Sequence, residues 1–158
     1  MFRKMRRFKQ QLTDEECIKV LEEEWRGVLS VHGEDGYPYG MPLDFLYDEE
    51  NGKIYFHGSK SGHKLDAIQA NDKVSFCVYD KGYHEEGDWA LTFHCVILFG
   101  RIRLLPDDEF AAKKLRELGL KCYPTAEEVD DTIAGNTGRV QMLELTIDHM
   151  TGKRVHEK

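Results

Sequence analysis

The stretch of this chain with the most chemical potential runs from Ile54 to Ile68, Ile-Tyr-Phe-His-Gly-Ser-Lys-Ser-Gly-His-Lys-Leu-Asp-Ala-Ile. Two hydroxyls (Ser59, Ser61), two cations (Lys60, Lys64) and two imidazoles (His57, His63) surround the pair Gly58 and Gly62. Such a set suits an anion. Glycines allow close backbone approach, and the unpaired N–H groups of a helix's first turn, together with hydroxyls and ammonium groups, can enclose a phosphate. The segment is not a nucleotide-hydrolysing P-loop, which needs four residues between its glycines and then Lys-Ser/Thr. Here three residues intervene and His-Lys-Leu follows. From these residues alone, an ordinary polar strand-to-helix connection accounts for the segment at least as well. His63 is the candidate for a role beyond binding, because an imidazole beside a phosphate or substrate donates hydrogen bonds and changes charge near neutral pH. A plain polar residue at a helix start is the competing reading for the same position.

The other reactive side chains read more simply. His57 suits ordering of the loop, and His94, next to Cys95 in a β-rich run, suits packing or an interface rather than ligation. The seven His and four Cys residues show no zinc-ligand spacing, so no structural metal is expected.

Positioning the loop takes a strand before it and a helix after it. Thr13 followed by Glu16 fits a capping box, and Cys17, Ile18, Leu21 and Trp25 then recur at helical spacing up to a stop at Gly27. Val28–Val31, a turn at Glu34-Asp35-Gly36 and an apolar run from Tyr37 to Tyr47 read as a hairpin. Asn51-Gly52 turns the chain into a third strand, Lys53–His57, and Lys73–Asp80 reads as another. Ala90–Leu105 is too long for one flat strand, which predicts a bulge or bend at Gly100. A helix is predicted from Pro106-Asp107 to about Gly119, a further one is capped by Thr125 with Glu128, and Leu143, Leu145 and Ile147 alternate with Glu144, Thr146 and Asp148 in a last strand. The expectation is a mainly β, α+β single domain over residues 1–158 with about six strands and about three peripheral helices. A small antiparallel barrel is its simplest arrangement, since closure removes exposed edges.

Composition agrees with one globular domain: 158 residues, 41% hydrophobic and 32% charged, supply one core and are too apolar for a self-repelling tail. The longest uncharged stretch, the twelve residues Trp89–Gly100, falls short of the roughly 18 that a membrane span needs. Of the net charge of −7, the basic arm Arg3–Lys9 contributes +5, so the rest of the chain carries −12 and repels nucleic-acid phosphates. Gln10–Glu16 follows that arm where an export signal needs an apolar segment. Four scattered cysteines then read as reduced thiols of a cytoplasmic protein.

Several separated motifs occur in a specific order: Met5-Arg6-Arg7, Gly33–Gly40, Ile54–Gly58, Gly62–Ile68, Val74–Val78, Phe99-Gly100-Arg101 and Thr151–Arg154. In this order they resemble the nitroimidazole-resistance proteins, a branch of the pyridoxamine 5'-phosphate oxidase-like flavoproteins, from about Met5 to Lys153. The resemblance implies a six-stranded antiparallel split β-barrel that binds FMN, as a homodimer with a flavin in each of two clefts between the subunits. It implies that Met41, Pro42 and Leu43 run beside the flavin ring, and that His57, Ser59, Ser61, Gly62, His63 and Lys64 reach the ribityl chain and phosphate. The oxidase branch carries an Arg-Lys pair where this chain has His63-Lys64, which leaves one permanent cation there. The expectation therefore shifts from pyridoxamine phosphate oxidation to a nitroreductase-type FMN-dependent oxidoreductase acting on a small molecule, with His63 or a water as proton donor. A flavin- or haem-binding module without turnover is the alternative. The basic arm over residues 1–12 would embrace the partner subunit, or bind the extra phosphate if the cofactor were FAD, unless it is simply a solvated terminus.

Overall fold

The computed structural model describes residues 1–158 apart from the side chain of Asp35. A turn of 3-10 helix at Phe8–Gln10 leads into α1 (Asp14–Glu23). The expected capping box is present: Glu16 N–H donates to Thr13 Oγ1 (3.2 Å) and Thr13 N–H to Glu16 Oε2 (2.8 Å). The helix stops at Glu23, short of Gly27, and Trp25 is exposed. Gly27 has a different purpose. It lies inside β1 (Arg26–His32), where a Cβ would come within 2.7 Å of the Cys77 carbonyl, so close strand approach and not helix termination requires a glycine there.

β1 and β2 (Pro38–Asp44) form the predicted hairpin around a 3-10 turn at Glu34–Gly36. The apolar run Tyr37–Tyr47 is not one strand. It bends at the fully buried Phe45 into β2 and β3 (Leu46–Asp48), and β3 pairs with β4 (Lys53–Ser59) across a turn in which Gly52 takes φ 60°. There follow α2 (His63–Ala70), β5 (Lys73–Tyr79), the two-residue β6 (Tyr83–His84), β7 (Leu91–Leu104), α3 (Glu109–Cys122), α4 (Ala126–Gly135) and β8 (Val140–His156). Among the described residues this gives eight strands and four α-helices where about six and three were expected. The surplus strands are the piece split off at Phe45 and the minimal β6. The antiparallel α+β class stands.

The strand order is β2-β1-β5-β7-β8-β4-β3, with antiparallel pairing throughout. β2 and β3 are thus the two outer strands of that order, yet only Phe45 separates them in the chain. The sheet has to curl until its edges meet, which makes it a split barrel. Phe45 packs edge-on against Phe76 (5.1 Å between ring centres), and Phe76 against Phe56 (4.9 Å). With Leu29, Ile54, Leu98 and Leu143, all fully buried, these rings fill the barrel, each contributing about 1.5–3 kcal/mol of transfer free energy.

The bend in β7 falls where it was predicted. The β7–β8 register shifts between Phe99 and Gly100, and a Cβ on Gly100 would run into the Thr146 carbonyl. β8 departs from simple alternation: Met142 to Leu145 are all buried, because α3 covers the outer face of β4 and β8 with Tyr55, Leu105, Ala111 and Met142. Glu144, expected on a solvent face, is therefore only 4% exposed. Burial alone would raise its pKa, but Arg103 Nε donating at 2.8 Å and Lys53 at 3.6 Å hold it below the usual glutamate value. The Tyr55 hydroxyl, which donates to the same carboxylate, is pushed up to about 12 by burial and by Glu144. From α3, Lys121 Nζ donates to the Glu24 carbonyl (2.6 Å) and lies 4.2 Å from the centre of the Phe45 ring, tying α1, α3 and the barrel closure together.

Two outcomes follow. Gly100→Ala should destabilise the fold by about 1–3 kcal/mol in urea titration, since the methyl group has only backbone to displace; a neutral effect would remove the constraint assigned to the bulge. The depressed pKa of Glu144 means its stabilising contribution is complete above the ordinary glutamate range and lost as pH falls through the lower folded value. Wild-type stability measured across that acid window should fall more steeply than that of Glu144→Gln, and parallel curves would contradict the assignment.

Candidate functional site

β4 delivers the loop and α2 receives it. Gly58, next to last in β4, sits directly beneath Lys64: a Cβ there would lie 2.6 Å from the ammonium nitrogen. Ser59 Oγ donates to the Ser61 carbonyl (2.8 Å) and pins the bend, and Gly62 enters the helix at φ 126°, a conformation side chains disfavour. α2 has no side-chain cap. The N–H groups of Leu65 and Asp66 donate to the Gly62 carbonyl, at 2.9 and 3.2 Å, while those of His63 and Lys64 have no acceptor among the described residues. Positive potential thus gathers at one spot.

The two loop lysines have different fates. Lys60 is ion-paired with Asp107, just before α3, and is withdrawn from the cradle. Lys64 is half-buried and has no carboxylate partner among the described residues; burial lowers its pKa below the ordinary lysine value. A desolvated ammonium without a counter-charge is costly unless an anion comes to it.

His63 lies face to face with Tyr39 of β2, ring centres 4.3 Å apart and planes within 11°, so the start of α2 is held against β2. That stack brings the loop beside the strand carrying Met41, Pro42 and Leu43. Met41 points into the core (9% exposed), Pro42 is exposed and Leu43 half-buried. Met41 can therefore offer a ligand its backbone only. β2 is an edge of the sheet order, and backbone groups of alternate residues face away from β1.

On the outer side of β4, His57, Gly58 and Ser59 line a cleft of about 580 Å³ whose opposite wall is built by α3 and α4, among them Leu115, Leu118 and Ile133. Desolvation, with Lys64 nearby, lowers the His57 pKa below the ordinary imidazole value against the raising effect of Asp44. Asp44 itself pairs with Arg26 at 2.6 Å. The local sequence pattern reveals the apolar stripes of α3 and α4 but not the strands they roof. The signal available was the run of small and apolar residues at one face of each helix.

Elsewhere, His94 Nδ1 lies 2.8 Å from Asp80 Oδ2, and its backbone N–H also bonds that carboxylate, a packed position as expected. Among the described residues no three His, Cys, Asp or Glu side chains are disposed to hold a metal, and all four cysteines are free thiols. No described helix is long and apolar enough to cross a membrane.

A family model described as pyridoxamine 5'-phosphate oxidase matches residues 13–154. No curated protein matches the chain. Among solved structures, the chain is similar to a proposed 5-nitroimidazole antibiotic resistance protein from Bacteroides thetaiotaomicron, with TM-score 0.75 and 17% identity over 92% of this chain and 87% of that one. It is similar to an FAD-binding protein from Mesorhizobium loti at TM-score 0.66 and 22% identity, over 92% and 97% of the two chains. A flavocytochrome from Azotobacter vinelandii aligns at TM-score 0.68 and 20% identity, over 95% of this chain and 71% of that one. At these identities the structural likenesses establish the split-barrel fold.

The His63–Tyr39 stack separates two contributions of the imidazole. His63→Ala should lower the melting temperature by about 1–6 °C, from an aromatic pair worth roughly 0.5–1.5 kcal/mol in a domain of this size. His63→Phe keeps a ring over Tyr39 and should restore it; equal losses in both variants would show that the stack is not what fastens α2 to β2.

Proposed function

Because this chain belongs to the pyridoxamine 5'-phosphate oxidase family, we propose that it holds a flavin, FMN, by its phosphate at the start of α2 and works as a nitroreductase-type oxidoreductase. The observation that carries this reading is Lys64: a half-buried ammonium, without a carboxylate, seated on a glycine beside two helix N–H groups that lack acceptors. A phosphate supplies what this cradle lacks, and Ser59, Ser61 and the Gly62 backbone complete it. The edge of β2 at Met41, Pro42 and Leu43 runs alongside and offers backbone donors and acceptors to the polar rim of a flavin ring. When bound, the flavin supplies two-electron transfer to a small oxidised substrate.

The chain's own residues bind, orient and shield. Lys64 neutralises the phosphate, Gly58 lets it sit close, and the Tyr39–His63 stack keeps loop and strand in register. The wall made by α3 and α4 screens one side of the site from water. His63, or a water it orders, is the proposed proton donor. With Lys60 committed to Asp107 and His63 in place of a second permanent cation, the cradle carries less charge than the oxidase pattern, which argues against pyridoxamine phosphate oxidation. We further propose a homodimer with a flavin at each end of the interface. The outer face of β1, β5 and β7 supports it, presenting Val28, Cys77, Ile97 and Phe99, the last two 39% and 41% exposed.

The test begins with the spectrum of the purified protein, yellow with flavin absorption, and with turnover of a nitroaromatic by NAD(P)H, which separates an enzyme from a carrier. Lys64→Ala should bind FMN about tenfold more weakly at low salt and with a shallower salt dependence, since the screened charge contact is gone. Unchanged affinity and slope would remove Lys64 from the phosphate site. If His63→Phe, fully loaded with FMN, still turns over normally, the proton comes from water.

A further inference from the structure

We infer that the cleft between β4 and the α3–α4 wall is a binding site for a small planar aromatic carboxylate, gripped at its anionic end by Arg139 and adjoining the phosphate cradle without sharing its cation. Its volume of about 580 Å³ lies in the range of small-molecule sites, and its walls are the flat apolar surfaces of Leu115, Leu118, Val129, Ile133 and Val140. The walls are preformed: α3 and α4 close on each other where a Cβ on Gly119 would stand 2.7 Å from Val129 Cγ1.

The charges at the rim decide the polarity of the ligand. Asp44, the acidic group in the lining, is occupied by Arg26 at 2.6 Å. His57 adds a hydrogen-bonding imidazole to the lining. Arg139 has no carboxylate partner among the described residues, and its backbone N–H donates to the Asn136 carbonyl (3.0 Å), which fixes its backbone in the turn after α4. An exposed guanidinium without a carboxylate partner therefore lines an apolar slot, an arrangement suited to a benzoate-like anion. Gly58 is common to both sites, lining this cleft and supporting Lys64, so an aromatic acid here lies next to whatever Lys64 holds. This inference deepens the proposed function, on which it rests for the ligand's role: the oxidised substrate would be a nitroaromatic acid, whose nitro group takes up the electrons while its carboxylate is held by Arg139.

Titration calorimetry with benzoate and with benzyl alcohol, on both FMN-loaded and flavin-free protein, tests the site. Benzoate should bind both forms. Arg139→Gln should weaken benzoate tenfold or more while leaving benzyl alcohol and FMN affinity unchanged, and Thr132→Trp, which fills the cleft from α4, should abolish both aromatic ligands. Absence of benzoate binding, indifference to Arg139→Gln, or displacement of benzoate by FMN would overturn the inference; the last would make the cleft the flavin's own seat. Failure to retain FMN with benzoate binding intact would instead defeat the flavin reading and leave the carboxylate site standing.

Discussion

The constraint on which the rest of the molecule depends is that one residue, Phe45, joins the two outer strands of an eight-stranded sheet. No flat sheet satisfies that connection. Curling brings β2 beside β4, and only then do the backbone edge at Met41–Leu43, the end of β4 and the start of α2 occupy one place. Phe45 also anchors the closure energetically: its buried ring meets Phe76 on the inside and the Lys121 ammonium at 4.2 Å, which itself caps the last carbonyls of α1. Barrel closure and helix placement are thus a single packing problem solved around one aromatic side chain.

The chemistry follows from how the chain distributes its cations. A body carrying −12 pairs most of its lysines and arginines with carboxylates, among them Arg26 with Asp44, Lys60 with Asp107 and Arg103 with Glu144. Each of those pairs is locally neutral and invites no ligand. Lys64 and Arg139 are among the cations outside this pattern, and they are the two that lie at the end of β4. Desolvation lowers the pKa of both Lys64 and His57.

Much of this was legible from short-range signals. The capping box at Thr13 and Glu16, the Asn51-Gly52 turn, the bulge at Gly100 and the glycine-flanked loop before α2 each depend on residues a few positions apart, and each occurs where the pattern placed it. What escaped depends on distant partners. Gly27 resembles a helix stop until Phe76 and Cys77 are laid against it, and Glu144 looks solvent-facing until α3 is folded over β8. The run Tyr37–Tyr47 includes Pro38, Gly40, Pro42 and Asp44 yet breaks at Phe45, a position that barrel closure sets. Of the site, the strand, the glycine-flanked loop and the start of α2 could be read from sequence. The capture of Lys60 by Asp107 and the roof over His57 could not, since both require α3 to be docked.

β8 lies between β7 and β4, and without it the sheet is two unconnected pieces, β2-β1-β5-β7 and β4-β3. During synthesis, then, a ribosome-borne chain can zip up each piece but cannot join them until residues 140–156 have emerged from the exit tunnel. The loop proposed to hold an anion precedes β8 in the chain, yet the strand that delivers it gains its neighbour only once β8 has been translated.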